Sequence, residues 1–265
     1  MAIQVNGTQV IGNSRELTNI ASVDATTVAA LGAAGVGGGV SSPAFDPSAT
    51  PNVTLTTSGT WTKPGSIGDD DWVVFYLVGG GGGGSGSSTW YRGGGGGAAT
   101  LFAALGQHIP SSVVYTIGNG GSATGNQNAT EGYPTSMVFG YNTITANGAA
   151  PIGGNDDESA NNRTPGAGGL PLLGDPRIMG IGQTAYEGGT TGKVGTSAIA
   201  NSVFGGGGGA SGYDTSQVGG TSTYAGNGGA TNNGASPGVP GGGGAGSRNY
   251  YYQSGAQGSI RIYYL

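Results

Sequence analysis

Long runs of glycine constrain this chain more than any other feature. Gly79–Gly84, Gly93–Gly97 and Gly205–Gly209 contain no side chain at all. Fixing glycine costs more backbone entropy than fixing any other residue, and such a run has nothing to bury in return. If it is ordered, its own N–H and C=O groups must recover that cost. The polyproline-II form offers a way, because three residues per turn without internal hydrogen bonds leave every polar group pointing at a neighbour. Helices of this kind can stack side by side and bond to one another, with Cα–H···O contacts adding a smaller share. Close stacking leaves no room for Cβ, so the runs should be Gly with occasional Ala or Ser.

Glycine makes up 62 of 265 residues and proline another 12. Collagen is excluded, since its triple helix needs glycine at every third place and these runs ignore that period. Disorder fits poorly. Disordered chains are usually highly charged and poor in aromatics, whereas here 8% of residues are charged, 35% are hydrophobic, and there are 13 Tyr and 3 Trp. With no cysteine, disulfides and thiolate chemistry are out of reach. A net charge of −5 on so few charged groups does not suit a phosphate backbone, so no nucleic-acid partner is expected. Met1–Arg15 lacks the basic start and apolar stretch of a signal peptide. No apolar run approaches the ~20 residues that span a bilayer, so no membrane insertion is expected.

The first segment is ordinary in composition. Ile3–Ile11 alternates around Asn6-Gly7, a hairpin signal. Ser22 to Leu31 is predicted as a short helix, with Ser22 as N-cap, Asp24 in the first turn, and Gly32 or Gly35 as the stop. Ile20, Val23, Thr27, Ala30 and Ala34 form one narrow apolar stripe that calls for partner helices, most simply copies of itself. Residues 36–51 read as a Gly/Pro/Ser linker. Beyond it, strands are predicted over Val53–Thr56, Trp72–Val78, Ala99–Leu105, Val113–Ile117, Ser136–Phe139, Asn142–Ala146 and Ser259–Tyr264, with Thr57–Pro64 as a turn. More than 100 residues with almost no strand signal separate the last two. Strands at both ends of the domain suggest that the final one returns beside the first.

The glycine segments alternate with loops of another character. Ser85–Arg92 carries Trp90, Tyr91 and Arg92; Leu170–Glu187 carries Tyr186. Ala210–Val218 carries Tyr213 and Asp214, and Ser247–Ser254 carries Arg248, Tyr250, Tyr251 and Tyr252. Rigid rods would present such loops at their ends, where binding residues concentrate. Tyr, Trp, Arg, Ser, Gly and Asn also dominate evolved binding surfaces.

Two parts of the chain resemble known families. Ile11–Thr27, with its Asn-Ser-Arg and Leu-x-Asn-Ile elements before a short helix, resembles the N-terminal segment of many bacteriophage tail-fibre proteins. Asn52–Leu265 resembles the glycine-rich phage tail-fibre domain. The residues that carry this are Thr60–Pro64, the apolar strand running into polyglycine at Val73–Gly84, Gly93–Leu105, Ile117–Gly121 and the closing strand Gly258–Tyr264. The alternation of glycine motifs with variable segments is also similar to the distal receptor-binding adhesins of T-even-like phages. In that family a sandwich of polyglycine-II helices displays loops that bind host outer-membrane proteins. Those adhesins cap a separate fibre, whereas this chain carries its own fibre-like N-terminal segment, so the receptor is not carried over.

Catalytic motifs are sparse. Gly234-Ala235-Ser236-Pro237-Gly238 has the G-x-S-x-G form, but no strand precedes it and the sole histidine, His108, comes before the serine rather than after it. Residues 187–194 resemble a phosphate loop yet lack its first Gly and the Ser or Thr after Lys193. Asp69–Asp71 and Asp156–Glu158 read as solvated turns, without the spacing of a calcium loop. The four N-x-[ST] triplets read as chance.

The expected protein is mainly β: a short N-terminal hairpin plus helix, then a small β-sandwich with projecting polyglycine-II helices and long loops. Residues 1–35 would attach to other virion tail or baseplate proteins and form a homotrimer, 36–51 would link, and 52–265 would bind a host outer-surface protein or glycan. No cofactor, metal or enzymatic activity is expected. A purely structural virion part and a polysaccharide depolymerase are the competing readings.

Overall fold

Trp72–Val78 is a run of seven apolar residues, every one of them buried. A strand can bury alternate side chains on one face only, so an unbroken apolar run requires cover on both faces. The computed structural model provides it. The described residues are 3–5, 8–11, 46–86, 91–125, 129–140, 142–149, 183–186, 201–212, 218–231, 236–247 and 252–265. The chain forms two units, Met1–Ser42 and Pro43–Leu265. In the first, β1 (Ile3–Val5) and β2 (Thr8–Ile11) pair antiparallel, with Val5 opposite Thr8. Asn6-Gly7 and the helix predicted from Ser22 lie outside the described residues.

The second unit holds two antiparallel sheets. One contains β3 (Val53–Leu55), β5 (Trp72–Val78), β8 (Ala99–Leu105), β12 (Gln183–Tyr186) and β15 (Ser259–Tyr264), in the order β12-β8-β5-β15-β3. The other contains β4 (Gly59–Thr62), β9 (Ser112–Thr116), β10 (Thr135–Phe139) and β11 (Asn142–Ala146), in the order β11-β10-β9-β4. The last strand does return beside the first, since β15 lies between β3 and β5. Two short strands differ from expectation. Thr57–Pro64 is not simply a turn, because it contains β4, whose Trp61 is buried. The stretch read as a loop up to Glu187 contains β12, which edges the larger sheet.

Alternation along β5 divides the interior. Val73, Phe75 and Leu77 join Trp61, Val113, Met137, Phe139 and Ile144 in a core shared by both sheets. The Phe75 ring meets Trp61 edge-on at 5.6 Å and Phe139 at 5.1 Å. Burying each such aromatic contributes about 1.5–3 kcal/mol. Trp72, Val74, Tyr76 and Val78 face the other way, into a second cluster against which Phe204 and Tyr224 pack.

Past Val78 the strand becomes a different structure. Gly79–Gly84 are all buried, and their N–H groups follow a period of three. Gly79 and Gly82 donate to the carbonyls of Ala98 and Gly95, at 2.9 Å each. Gly80 and Gly83 donate to Tyr133 and Thr130, and Gly81 and Gly84 to Ala256 and Gln253. Acceptor numbers fall by three as donor numbers rise by three, so these three neighbours run antiparallel. The carbonyls of Gly80, Gly81 and Gly82 accept from Ala149, Gly121 and Gly244 on three further segments. Six chain segments therefore surround one glycine run, at the period of a polyproline-II helix. A Cβ added at Gly81 would lie 2.1 Å from the Gly242 carbonyl oxygen, and one at Gly84 2.0 Å from that of Ala245. Glycine is required here because backbone packs directly on backbone.

A repeat anchors this region to the larger sheet. Ser202-Val203-Phe204-Gly205 and the run to Ala210 correspond to Ser222-Thr223-Tyr224-Ala225 and the run to Ala230. The two copies lie side by side. Ser202 bridges Ser222, the Phe204 and Tyr224 rings are 5.2 Å apart, and Gly207 and Ala210 donate to Gly226 and Gly229. Each aromatic turn is held by one sheet residue. Tyr76 Oη donates to the Phe204 carbonyl, and Arg261 Nη1 donates to the Tyr224 carbonyl at 2.8 Å.

Candidate functional site at the ends of the glycine segments

The glycine segments run from the sheet toward a common far end. Four two-residue strands meet there: β6 (Ser85–Gly86), β7 (Tyr91–Arg92), β13 (Ser211–Gly212) and β14 (Gly246–Ser247). β6 and β7 pair antiparallel, with Ser85 opposite Arg92. β13 and β14 pair parallel, with Ser211 opposite Gly246. β14 also lies against β6 and β7, and β13 against β7. Two further segments join them, as Thr124 bridges Ser85 and Tyr252 bridges Gly246. Each strand directly continues or precedes a glycine run, so the backbone lattice itself sets their positions.

This arrangement gathers three of the predicted aromatic loops. The 85–92 loop leaves through β6 and returns through β7, the 210–218 loop leaves through β13, and the 247–254 loop leaves through β14. The backbones of Tyr91 and Arg92 stand in β7. Tyr252 is 40% exposed, and its ring packs near Gly125, where an added Cβ would lie 3.4 Å from Cε1. Trp90, Tyr213, Asp214, Arg248, Tyr250 and Tyr251 lie outside the described residues.

A family description, glycine-rich domain, matches residues 52–265. The chain belongs to this glycine-rich domain family. No curated protein sequence matches it.

Tyr186 is not part of the gathered set in the glycine-rich domain. Its backbone is in β12 opposite Ala99, at the junction where the sheet gives way to glycine. Conversely, the segment ending at Thr124-Gly125 belongs to the cluster, although the sequence reading did not single it out. Its signal is a glycine pair, Gly120-Gly121, followed by a polar stretch. Ser85, the first residue of the 85–92 loop, stands in β6 at the centre of the cluster. Its side chain is buried, and Oγ has no hydrogen-bond partner among the described residues.

The other chemical candidates lie elsewhere. His108 closes a short 3-10 helix, Gly106–His108, directly after β8. That is the Trp72 end of β5, because Leu105 pairs with Trp72. Ser236 lies among the glycine segments past the opposite end, so the two do not form a nucleophile–base pair; the strand between spans about 20 Å. Asp71 serves a turn, its carboxylate accepting from Gly68 N–H at 2.8 Å. Among the described residues no group of His, Cys, Asp and Glu could hold a metal, and no helix is long and apolar enough to cross a membrane. Residues 156–158 and 187–194 lie outside the described residues. Two displaced pKa values also fall outside the cluster. Hydrogen bonds from the Ser48 side chain and backbone lower that of Asp46. Burial raises that of Tyr263, with the Arg261 guanidinium opposing.

Proposed function

We propose that this protein is a phage tail-fibre adhesin, held in the virion through residues 1–35 and binding a host surface receptor through loops 85–92, 210–218 and 247–254. Residues 36–51 link the two parts, and the N-terminal helix stripe assembles three copies. The glycine segments are polyglycine-II helices that project from a β-sandwich and hold the loops at a fixed spacing. The receptor is an outer-surface protein or glycan, and affinity comes from several copies acting together, which can raise apparent binding by roughly 10²–10⁴.

One observation carries this reading. Loops far apart in sequence start from four short strands that touch one another. A purely structural rod bundle has no need to bring its aromatic-rich connections together, whereas a binding surface does.

The test replaces Trp90, Tyr91, Tyr213, Tyr250, Tyr251 and Tyr252 by Ser in the full chain. Adsorption of the purified protein to host cells should fall at least tenfold while the thermal midpoint stays within a few degrees. Unchanged adsorption would remove these loops from the receptor site. No adsorption by the parent protein would favour the structural reading, and release of reducing sugar from host polysaccharide would favour a depolymerase.

A further inference from the structure

A cleft of about 570 Å³ opens on the flank of the glycine region. It runs beside Gly226–Ala230, with residues 218–221 on one side and 236–239 on the other. Its volume falls within the roughly 300–1,000 Å³ of small-ligand sites. At a polyproline-II rise of about 3.1 Å per residue, the five-residue floor is about 15 Å long, enough for a short chain of rings rather than a single one.

The chemistry of the lining is specific. Among the described residues no charged side chain lines it. Val218 and Val239 form apolar rims and are 57% and 66% exposed. Asn227 accepts from Ser222 N–H at 2.8 Å through Oδ1, and its NH₂ has no acceptor among the described residues. Thr221 Oγ1 donates to Asn201 at 3.0 Å and keeps its lone pairs for an incoming donor. Gly226 and Gly228 line the floor as bare backbone, each packed so closely on a neighbouring segment that an added Cβ would meet the Gly238 or the Gly208 carbonyl oxygen.

We propose that this cleft binds a short neutral glycan chain; among the described residues it shares Val218 with the 210–218 loop. A pyranose carries hydroxyl edges that pair with Asn227, Thr221 and backbone groups, and C–H faces that pack on the valine rims. An anionic sugar would find no cation among the described lining residues, and leaving its charge unpaired is costly. Polyproline-type peptides dock on aromatic-lined grooves, and among the described residues this lining has no aromatic.

The test is an amide NMR titration of the intact ¹⁵N-labelled protein with maltotetraose, cellotetraose and chitotetraose. Glucose serves as the single-ring probe, tetragalacturonate as the charged probe and decaproline as the peptide probe. At least one neutral tetrasaccharide should give saturable shifts at Gly226, Gly228 and the Asn227 side-chain NH₂. Glucose should bind at least fivefold more weakly, and the charged and peptide probes should leave these signals unmoved. Val218→Arg and Val239→Arg, both at exposed positions, should weaken binding at least tenfold without altering glycine signals elsewhere. The six-serine loop variant should bind as the parent does, which separates this proposal from the adsorption reading. Absence of shifts with all three tetrasaccharides, equal binding of tetragalacturonate or decaproline, or unchanged binding in both arginine variants would overturn it.

Discussion

The two halves of the folded unit solve the same problem with opposite materials. Between the sheets, the interior consists of side chains such as Phe75, Phe139, Met137 and Ile144, and the backbone is satisfied by strand ladders. Around Gly79–Gly84 the interior consists of backbone, and each glycine N–H bonds across to another segment. The first kind of interior fails by losing atoms, because a vacated volume forfeits transfer energy and leaves a cavity. The second kind fails by gaining atoms, because no flexible group stands where a new methyl would go.

The largest effect is expected from Gly81→Ala. Its Cβ would lie 2.1 Å from the Gly242 oxygen and 2.5 Å from the Gly242 carbon, both backbone atoms. Ordinary overpacking costs about 1–3 kcal/mol because side chains yield; here a whole segment must move and release its hydrogen bonds. A loss above about 4 kcal/mol is expected, visible in denaturant unfolding as collapse of the midpoint or as failure to fold. Phe75→Ala probes the other interior and should cost about 3–5 kcal/mol. A Gly81→Ala cost of less than about 1 kcal/mol would break the distinction between the two interiors.

The seam between them can be weighed separately. Tyr76 is fully buried in the sheet, yet its hydroxyl donates to the Phe204 carbonyl at the head of the first repeat. Tyr76→Phe keeps the ring beneath the Arg261 guanidinium, 5.7 Å from its centroid, and removes that donor. The expected cost is about 0.5–1.5 kcal/mol, the net worth of one hydrogen bond. Hydrogen exchange should speed up at Gly206–Ala210 more than in β9 or β10, since the seam holds the former and not the latter. Uniform acceleration would mean that sheet and glycine segments open as one body.

These differences also govern what could be read in advance. Strands with a side-chain interior carry their signal in the residues themselves. Trp72–Val78 and Ala99–Leu105 are apolar runs, and β9 alternates with Val113 and Tyr115 buried. β4 was hidden because Trp61 is the only large apolar residue among its four, between Gly59 and Pro64. β12 was hidden because Gln183–Tyr186 carries no apolar run and gains its place by pairing with β8. The glycine runs announced that backbone would be the building material, but a glycine has no side chain to name its partner. That Gly81 bonds to Ala256 and Gly80 to Tyr133 is a matter of spatial order alone. The Phe204 and Tyr224 repeat was masked the same way, its shared glycines lost among all the others. For the candidate site, the aromatic loops were legible and their meeting point was not. Thr124 and Ser85 enter the cluster through backbone bridges that leave no mark on residue type.

Two glycines outside the lattice sharpen the comparison with small effects, because they isolate reasons for glycine other than crowding. Gly140 follows β10 in the turn to β11, where Phe139 pairs with Asn142 across a two-residue loop. Its φ is 63°, and nothing lies within 4 Å of an added Cβ. A left-handed residue at that loop position favours glycine for conformational reasons alone, so Gly140→Ala should cost about 1–2 kcal/mol. Gly65 has neither constraint: its surroundings are open and its φ is not in the left-handed range. Alanine there reduces the freedom of the unfolded chain and should raise stability by roughly 0.4–1 kcal/mol. Thermal melts of Gly81→Ala, Gly140→Ala and Gly65→Ala should therefore fall in that order, from strongly lowered to slightly raised. Equal losses at Gly140 and Gly81 would show that backbone conformation, rather than the absence of Cβ, selects glycine throughout this chain.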